Sequence, residues 1–126
     1  MYVSSKISAV FGIFFDKEGK ILIIENERGI DIPGGHVELG DTDEYSAMKR
    51  EAWEEAGAEI KNLILLGNVN THSGSYRGKC MAFFTGDLIK YTSKTMNETE
   101  FLVRYSQNKT LLRKFINKAY ECRKSP

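Results

Sequence analysis

Apolar and polar residues alternate along the first part of this chain in a pattern that is typical of paired strands. Residues 4–15 are rich in Ile, Val and Phe, residues 16–20 are polar, and residues 21–25 are apolar again. β-Branched and aromatic residues favour strands, and the polar residues between them favour a turn. The pattern predicts a hairpin with Gly19 in a left-handed turn conformation, followed by a short extended segment around Ile32.

The spacing changes to that of a helix in residues 42–56, where apolar residues recur every three or four positions. Asp41 is the predicted N-cap of this helix, and Glu44 three residues later is its capping-box partner. Gly57 is predicted to end the helix in a left-handed conformation. The apolar residues form one stripe that can pack against a sheet. This stripe consists of Tyr45, Met48, Ala52 and Ala56.

The next part of the chain returns to strand and turn patterns. The aliphatic run at residues 63–66 predicts a core strand. Residues 80–88, centred on a pair of phenylalanines, predict the strand that returns from a turn over residues 71–79. Residues 101–105 predict one more short strand. The middle of the chain is therefore expected to add a second hairpin to the sheet.

From Thr110 onward, apolar residues again recur at helical spacing, with basic residues between them. This pattern predicts a closing amphipathic helix. Its apolar residues are Leu111, Leu112, Phe115, Ile116 and Ala119. Strands before and after a central helix, with a helix at the end, predict an α/β arrangement in which helices cover a mixed sheet.

The length and charge of the chain limit the classes of protein it can belong to. Its 126 residues are enough for a single domain with one hydrophobic core. With 18 basic and 17 acidic residues, the net charge of +1 does not indicate a stable nucleic-acid complex or an anionic membrane surface as partner. The sequence shows neither an apolar run of membrane length nor a signal-peptide pattern. We therefore expect a cytoplasmic protein that is a monomer or a homodimer.

Residues 33–58 carry the candidate chemistry. They begin with Pro33, Gly34 and Gly35. Proline makes the start of this turn rigid, and a glycine pair lets the backbone turn tightly and come close to a ligand. Gly34 and Gly35 are therefore predicted to contact substrate.

Three glutamates of the predicted helix, Glu51, Glu54 and Glu55, share one side of it because three and four residues separate them. Like charges in this arrangement repel each other and destabilise a helix. A divalent cation would offset the repulsion, and carboxylate oxygens suit Mg²⁺ or Mn²⁺. The alternative is a solvated acidic face that Lys49 and Arg50 partly neutralise.

The order of residues in this stretch resembles the signature of the Nudix hydrolase superfamily. That signature reads Gly, five residues, Glu, seven residues, Arg-Glu, aliphatic, any, Glu-Glu, any, Gly, aliphatic. In this chain, eight residues separate Asp41 from Arg50, and Asp41 stands where the family has Glu. Asp41 therefore either takes the role of the family's glutamate or only caps the helix. The matching residues are Gly35, Arg50, Glu51, Glu54, Glu55 and Gly57.

The resemblance implies a Nudix α/β/α sandwich, with a mixed β-sheet flanked by helices. It also implies hydrolysis of a diphosphate linkage in a nucleoside diphosphate linked to another moiety, using Mg²⁺ or Mn²⁺ and an activated water. By this resemblance, Glu54 and Glu55 are the core metal ligands, and Glu51 is a further ligand or the general base. Gly35 is expected to belong to the metal site, and Arg50 to orient a glutamate.

Nudix-like enzymes often take a further carboxylate from a region after the central helix. Glu98 is the first choice for this catalytic role in the present sequence, and Glu100 is the second. The spacing does not decide between them, because a slip of one residue turns a strand side chain to the opposite face.

Several residues outside the signature are candidates for holding substrate. Arg28 can donate two hydrogen bonds to a phosphate, or it can be a solvated loop residue. Tyr76 or Phe11 can stack on a base. His72 can touch substrate, although a lone histidine is more often structural.

The loops expected to select the substrate are residues 26–31, 71–79 and 90–99, because the signature says nothing about the leaving group. These loops are short, which favours a compact, MutT-like substrate such as a nucleoside triphosphate or its damaged form. The alternatives are hydrolysis of ADP-ribose or a dinucleoside polyphosphate, and a non-catalytic nucleotide-binding regulatory module of the same fold.

Overall fold

The computed structural model of this chain describes residues 7–71 and 78–124. The strands are β1 (Ile7–Phe15), β2 (Ile21–Asn26), β3 (Gly29–Asp31), β4 (Gly34–His36), β5 (Glu59–Asn70), β6 (Cys80–Lys90) and β7 (Lys94–Met96). The helices are α1 (Glu44–Ala56), α2 (Glu98–Arg104) and α3 (Lys109–Lys124).

The strands form one mixed sheet. Its hydrogen-bonded order is β3-β2-β1-β6-β5, with β4 paired to β1 and β7 paired to β2. Strands β1 and β6 run parallel, whereas β1 pairs antiparallel with β2 and β4, and β5 pairs antiparallel with β6. The predicted first hairpin is confirmed, with Phe15 opposite Ile21 and with Gly19 at a φ of 83°.

Alternating residues of β1 divide the core into two layers. Val10 and Phe14 are fully buried on the face that α1 covers, where they pack with Met48. Ala9 and Ile13 are fully buried on the opposite face, which α2 and α3 cover. Side chains on a strand alternate between faces, so one central strand serves both layers. The predicted α/β sandwich, with a mixed sheet between helices, is confirmed.

Helix α1 begins two residues later than the sequence predicted. Its N-cap is Asp43, whose Oδ1 accepts a hydrogen bond from the Ser46 N–H at 2.8 Å. The prediction that Asp41 is the N-cap is wrong, because the Asp41 side chain pairs with Arg50 instead. The predicted end of the helix is confirmed: Gly57 has a φ of 57°, and its N–H donates to the Trp53 carbonyl at 3.0 Å.

The apolar stripe of α1 faces the sheet as predicted for three of its four residues. Met48, Ala52 and Ala56 are buried. Tyr45 is 37% exposed, and its ring lies edge-on against Phe84 with 5.1 Å between ring centroids. The first turn of the helix therefore covers the sheet only in part.

Two predicted strands of the second half differ in the structure. Residues 101–105 were expected to be a strand, but they lie in and just after helix α2, whose N-cap Asn97 accepts a hydrogen bond from the Glu100 N–H at 2.8 Å. The strand predicted at residues 63–66 exists, but it lies in β5 at the sheet edge rather than in the core. Ile64 of that run is 43% exposed.

Helix α3 has the amphipathic character predicted for it. Phe115, Ile116 and Ala119 are buried against the sheet, while Arg113 and Lys118 are exposed. Within residues 7–71 and 78–124, no helix combines the length and the apolar character needed to cross a membrane.

Candidate active site

Strand β4 and helix α1 lie side by side and bring the glycine pair to the glutamates. β4 is held on β1, where Gly34 is opposite Phe11 and Gly35 is opposite Val10. The Gly34 N–H donates a hydrogen bond to Glu55 Oε1 at 2.7 Å. Gly34 therefore contacts a helical glutamate directly.

Gly35 lies directly against Glu51. A methyl group built at Gly35 would overlap the Glu51 carboxylate, chiefly its Oε2 atom. Only a glycine leaves room for the carboxylate at this point, because any side chain begins with this carbon. The Glu51 side chain is 13% exposed, so its position is confined by the backbone of β4.

The guanidinium of Arg50 joins the carboxylates around it into one network. Its Nη1 lies 2.6 Å from Glu51 Oε1 and 2.9 Å from Glu54 Oε1. Its Nε and Nη2 donate to the two oxygens of Asp41. Nη2 also donates to the His36 carbonyl at 3.1 Å. Arg50 thus orients two of the three helical glutamates while Asp41 fixes the guanidinium.

The charges in this network shift the pKa values of its members. Hydrogen bonds from Arg50 hold the pKa of Asp41 below its usual value. The same hydrogen bonds raise the pKa of Arg50 above its usual value. Burial raises the pKa of Glu51, and this effect outweighs its pairing with Arg50. Burial also raises the pKa of Glu55, and the nearby charges of Glu51, Asp31 and Glu54 add to that effect. The site concentrates negative charge that a cation would stabilise.

The donor chemistry fits a hard divalent cation, although the described residues contain no group of three His, Cys, Asp or Glu side chains already placed around one point. The contacts above use one oxygen each of Glu51, Glu54 and Glu55. Each of these carboxylates carries a second oxygen besides the one used in these contacts. Oxygen donors of this kind are the ligands that Mg²⁺ and Mn²⁺ prefer.

A cavity of about 620 Å³ opens beside these glutamates. Glu55 and Gly34 lie in its lining, so the acidic cluster stands at its edge. Phe11 and Phe83 line it as well, with their rings stacked at a centroid distance of 5.7 Å. Apolar and polar side chains both line this cavity, and its volume is typical of a small-molecule site.

Two cavity residues that the sequence did not single out are Asp31 and Gln107. Gln107 Nε2 donates a hydrogen bond to Asp31 Oδ2 at 3.3 Å, and the Ile32 N–H donates to Asp31 Oδ1 at 2.7 Å. Burial raises the pKa of Asp31. The sequence offered one indication of this contact, the carboxylate of Asp31 between Ile30 and Ile32. A charged residue inside an apolar extended segment needs a partner.

Three of the predicted substrate residues lie at the cavity, whereas Gly35 is not in its lining. Arg28, Gly34 and Phe11 line it. Tyr76 and His72 fall outside the described residues, so their predicted roles stay predictions. From the selecting loops, residues 26–31 and Thr71 contribute to the lining.

The loop over residues 90–99 contributes no described residue to the cavity lining, contrary to expectation. Residues from the segment between α2 and α3 take that place. They include Tyr105, Gln107 and Asn108. The reason is that residues 94–96 pair as β7 with β2 near Ile21, at the hairpin end of the sheet.

The structure does not bring Glu98 to the α1 glutamates. Glu98 instead forms a hydrogen bond with the Tyr120 hydroxyl. Burial raises the pKa of Tyr120, and the charge of Glu98 adds to this effect. The Tyr120 ring stacks on Phe15 with 4.6 Å between centroids. Phe15 is four residues along β1 from Phe11, or about 13 Å at the rise of an extended strand. Helix α2, which the sequence did not predict, holds Glu98 at this distant end.

Glu100, the second choice, pairs with Arg104 at 3.5 Å one turn along α2. Two carboxylates outside α1 raise the pKa of its glutamates: the charge of Glu38 raises that of Glu51, and the charge of Asp31 raises that of Glu55. The additional acidic groups at the site therefore come from segments before α1.

Comparison with known proteins gives the family and the fold of this chain. A family model described as NUDIX domain matches residues 5–112. A NUDIX hydrolase from Nitrosomonas europaea superposes with a TM-score of 0.75 at 18% identity, over 98% of this chain and 93% of that chain. The NUDIX domain of Shewanella oneidensis NrtR, complexed with ADP ribose, superposes with a TM-score of 0.74 at 14% identity, over 95% of this chain and 90% of that chain.

A mutant of the Bacillus subtilis pyrophosphohydrolase BsRppH is 25% identical, with a TM-score of 0.69 over 94% of this chain and 84% of that chain. The family match covers the whole segment from β1 to the first turn of α3, including the glycine pair and the α1 glutamates. The chain belongs to the Nudix domain family.

Proposed function

We propose that this protein is a Mg²⁺- or Mn²⁺-dependent hydrolase that cleaves a diphosphate linkage in a nucleoside diphosphate linked to another moiety. The observation that carries the proposal is that Glu51 and Glu55 contact the Gly34–Gly35 backbone at the edge of a cavity, while Arg50 joins Glu54 to Glu51. Carboxylates concentrated beside a pocket that fits a small ligand are what metal-assisted phosphate chemistry requires.

Glu54 and Glu55 are the residues that would hold the metal, with Glu51 as a further ligand or the general base. A bound divalent cation neutralises phosphate oxygens and lowers the pKa of a water. The chain's own contribution is to hold the carboxylates in place. Gly34 fixes Glu55 through its N–H, and Arg50 fixes Glu51 and Glu54.

A glutamate accepts a proton from water more readily when its pKa is raised towards neutral. Burial raises the pKa of Glu51, so this carboxylate suits the role of general base. Arg28, at the cavity lining, is suited to bind the phosphates.

The cavity supports a nucleotide as substrate. Phe11 and Phe83 offer aromatic surface for a base, and the polar side chains of Asn26, Asp31 and Asn108 lie in the same lining. The volume of about 620 Å³ suits a compact nucleotide better than a long dinucleotide. A nucleoside triphosphate is therefore the first candidate. The Shewanella relative complexed with ADP ribose supports the wider class of nucleotide ligands.

A release assay across nucleotide classes tests this proposal. Nucleoside triphosphates, oxidised triphosphates, ADP-ribose, nucleotide sugars and dinucleoside polyphosphates are each incubated with the protein and Mg²⁺ or Mn²⁺. We expect a triphosphate to give the highest kcat/KM. If ADP-ribose or a dinucleoside polyphosphate exceeds every triphosphate by about tenfold, or about 1.4 kcal/mol, the compact-substrate part is wrong. If none is cleaved, the hydrolase itself is contradicted.

A further inference from the structure

Asp31, the last residue of β3, lies in the wall of the cavity and contacts Gln107 in the segment after α2. Asp31 is half-buried, and both of its oxygens already accept one hydrogen bond. A carboxylate oxygen has two lone pairs, so each oxygen can accept one more hydrogen bond. The wall of the cavity therefore presents two adjacent acceptors to whatever occupies it.

The solvation of this carboxylate is poor. Burial is the largest cause of its raised pKa, and it outweighs the effect of the Arg28 charge nearby. Donors from a bound ligand would replace the water that the carboxylate has lost. A ligand with two neighbouring N–H groups would satisfy both oxygens at once.

Among the common nucleobases, this requirement separates guanine from the rest. Guanine presents N1–H and its 2-amino group side by side on one edge. Adenine has an acceptor at N1, and cytosine has an amino group beside an acceptor. Uracil and thymine present a single N–H between two carbonyl groups. An ionised carboxylate therefore forms two parallel hydrogen bonds with guanine alone among these bases.

Other side chains of the same lining supply donors. Asn108 Oδ1 accepts the Leu111 N–H at 3.0 Å, which leaves the amino group of Asn108 as a donor. Asn26 is arranged in the same way, since its Oδ1 accepts the Arg28 N–H at 2.8 Å. Guanine carries acceptors at O6 and N7 next to its N1–H edge, so acceptor and donor groups of the cavity match its pattern.

We infer that Asp31 selects guanine nucleotides by accepting hydrogen bonds from N1–H and the 2-amino group of the base. This inference rests on the proposed function, because it names the substrate class of the same cavity. The competing explanation is structural: Asp31 only anchors the segment after α2 through its hydrogen bond from Gln107.

Equilibrium binding of GMP, IMP, XMP and AMP distinguishes the two explanations. These monophosphates contain no diphosphate linkage, so their affinities do not depend on turnover. We expect the wild-type protein to bind GMP about tenfold or more tightly than AMP and IMP, which lies within the range of discrimination that a good bidentate pair provides. IMP lacks the 2-amino group, so it isolates one of the two hydrogen bonds.

The variant Asp31→Asn makes the test directional. An asparagine offers one acceptor and one donor, which match the N1–H and the 2-carbonyl of xanthine, so the preference should change from GMP to XMP. A purely structural aspartate predicts equal weakening of all four ligands. The matched control is Asp87→Asn, because Asp87 pairs with Asn62 and is not in the cavity lining. This control should keep the wild-type order.

The inference is overturned if the wild type binds the four monophosphates within roughly threefold of each other, a difference of less than about 0.7 kcal/mol. It is also overturned if Asp31→Asn still prefers GMP to XMP. Turnover of GTP and ATP is measured in parallel. Equal cleavage of both would leave the proposed hydrolase intact while contradicting the role of Asp31. Guanine-selective binding without cleavage of GTP would support Asp31 and contradict the hydrolase.

Discussion

Asp41 holds the guanidinium of Arg50 with both carboxylate oxygens, 2.9 Å from Nε and 3.0 Å from Nη2. The Asp41 side chain is 6% exposed, so this pair is shielded from water. The sequence left two roles open for Asp41, as a helix cap or as the counterpart of the family's glutamate. The structure gives the cap to Asp43 and pairs Asp41 with the arginine of the signature.

The two aspartates before α1 provide a matched pair of variants. Asp41→Ala should lower kcat by about tenfold or more, since it frees the arginine that orients Glu51 and Glu54. Asp43→Ala should lower stability by about 1 kcal/mol through loss of the N-cap, with little change in kcat. Steady-state kinetics and thermal unfolding of both variants check this. Equal loss of kcat in the two would contradict the separate roles.

Gly35 should be intolerant of any side chain because of its contact with Glu51. A methyl group at this position would overlap the Glu51 carboxylate, so Gly35→Ala must displace that side chain. We expect kcat to fall by about tenfold or more, as the carboxylate leaves its position. Gly40→Ala is the control, because a methyl group there meets nothing within 4 Å. Unchanged kcat in Gly35→Ala would show that the position of Glu51 does not matter for turnover.

The raised pKa of Glu55 predicts that ionisation of this carboxyl lowers the free energy of unfolding, so that stability depends on pH. The folded protein binds the proton of Glu55 more tightly than the unfolded chain does, whose pKa is near 4.5. This contribution to stability is complete below that pKa and is lost as the pH rises through the folded value. Glu55→Gln keeps an acceptor for the Gly34 N–H but cannot ionise. Without metal, the Tm of Glu55→Gln minus that of wild type should be larger at about pH 7 than at about pH 4.

Thermal unfolding at both pH values measures this difference. The effect should be modest, because Glu55 as a residue is exposed even though its carboxylate lies at the cavity edge. If the Tm of Glu55→Gln minus that of wild type is the same at both pH values, or larger at the lower one, the pKa of Glu55 is not raised in the folded protein.

The sequence predicted the centre of the site better than its surroundings. The order from Gly35 to Gly57 was sufficient to expect helix α1 and its three glutamates on one side, because helical spacing alone determines which side chains are neighbours. Asp41 and Asp43 were harder to tell apart. Both precede the helix, and the choice depends on the partner of Asp41, which lies nine residues away.

The position of Glu98 could not be predicted from the sequence, because helix α2, which begins at this residue, was expected to be a loop and a strand. Phe101 and Leu102 were interpreted as part of a strand, although Asn97 followed by Glu100 three residues later is also a helix-start pattern. Asp31 and Gln107 meet across 76 positions of sequence, so no local pattern indicated their contact. Long-range pairs of this kind become visible only when the sheet brings β3 near the end of α2.

The acidic cluster should respond to metal in the absence of substrate. Binding of a cation to the folded state alone raises stability, by about 2.7 kcal/mol when the metal is at about 100 times its Kd. We expect millimolar Mg²⁺ or Mn²⁺ to raise the Tm of the wild type, and to raise that of Glu55→Gln much less. Thermal scans with and without EDTA measure this. No change in Tm with either metal, with or without nucleotide, would argue against a metal site on α1.

The most direct test of the central claim is the turnover of Glu54→Gln and Glu55→Gln with a cleaved nucleotide at saturating Mg²⁺. The matched control is Glu59→Gln, whose carboxylate pairs with Lys90 at 3.5 Å on the sheet edge. We predict that kcat falls by about 100-fold or more in the two α1 variants, while both remain folded and Glu59→Gln keeps wild-type activity. Turnover within about tenfold of wild type in Glu54→Gln would contradict a metal-dependent mechanism built on this helix.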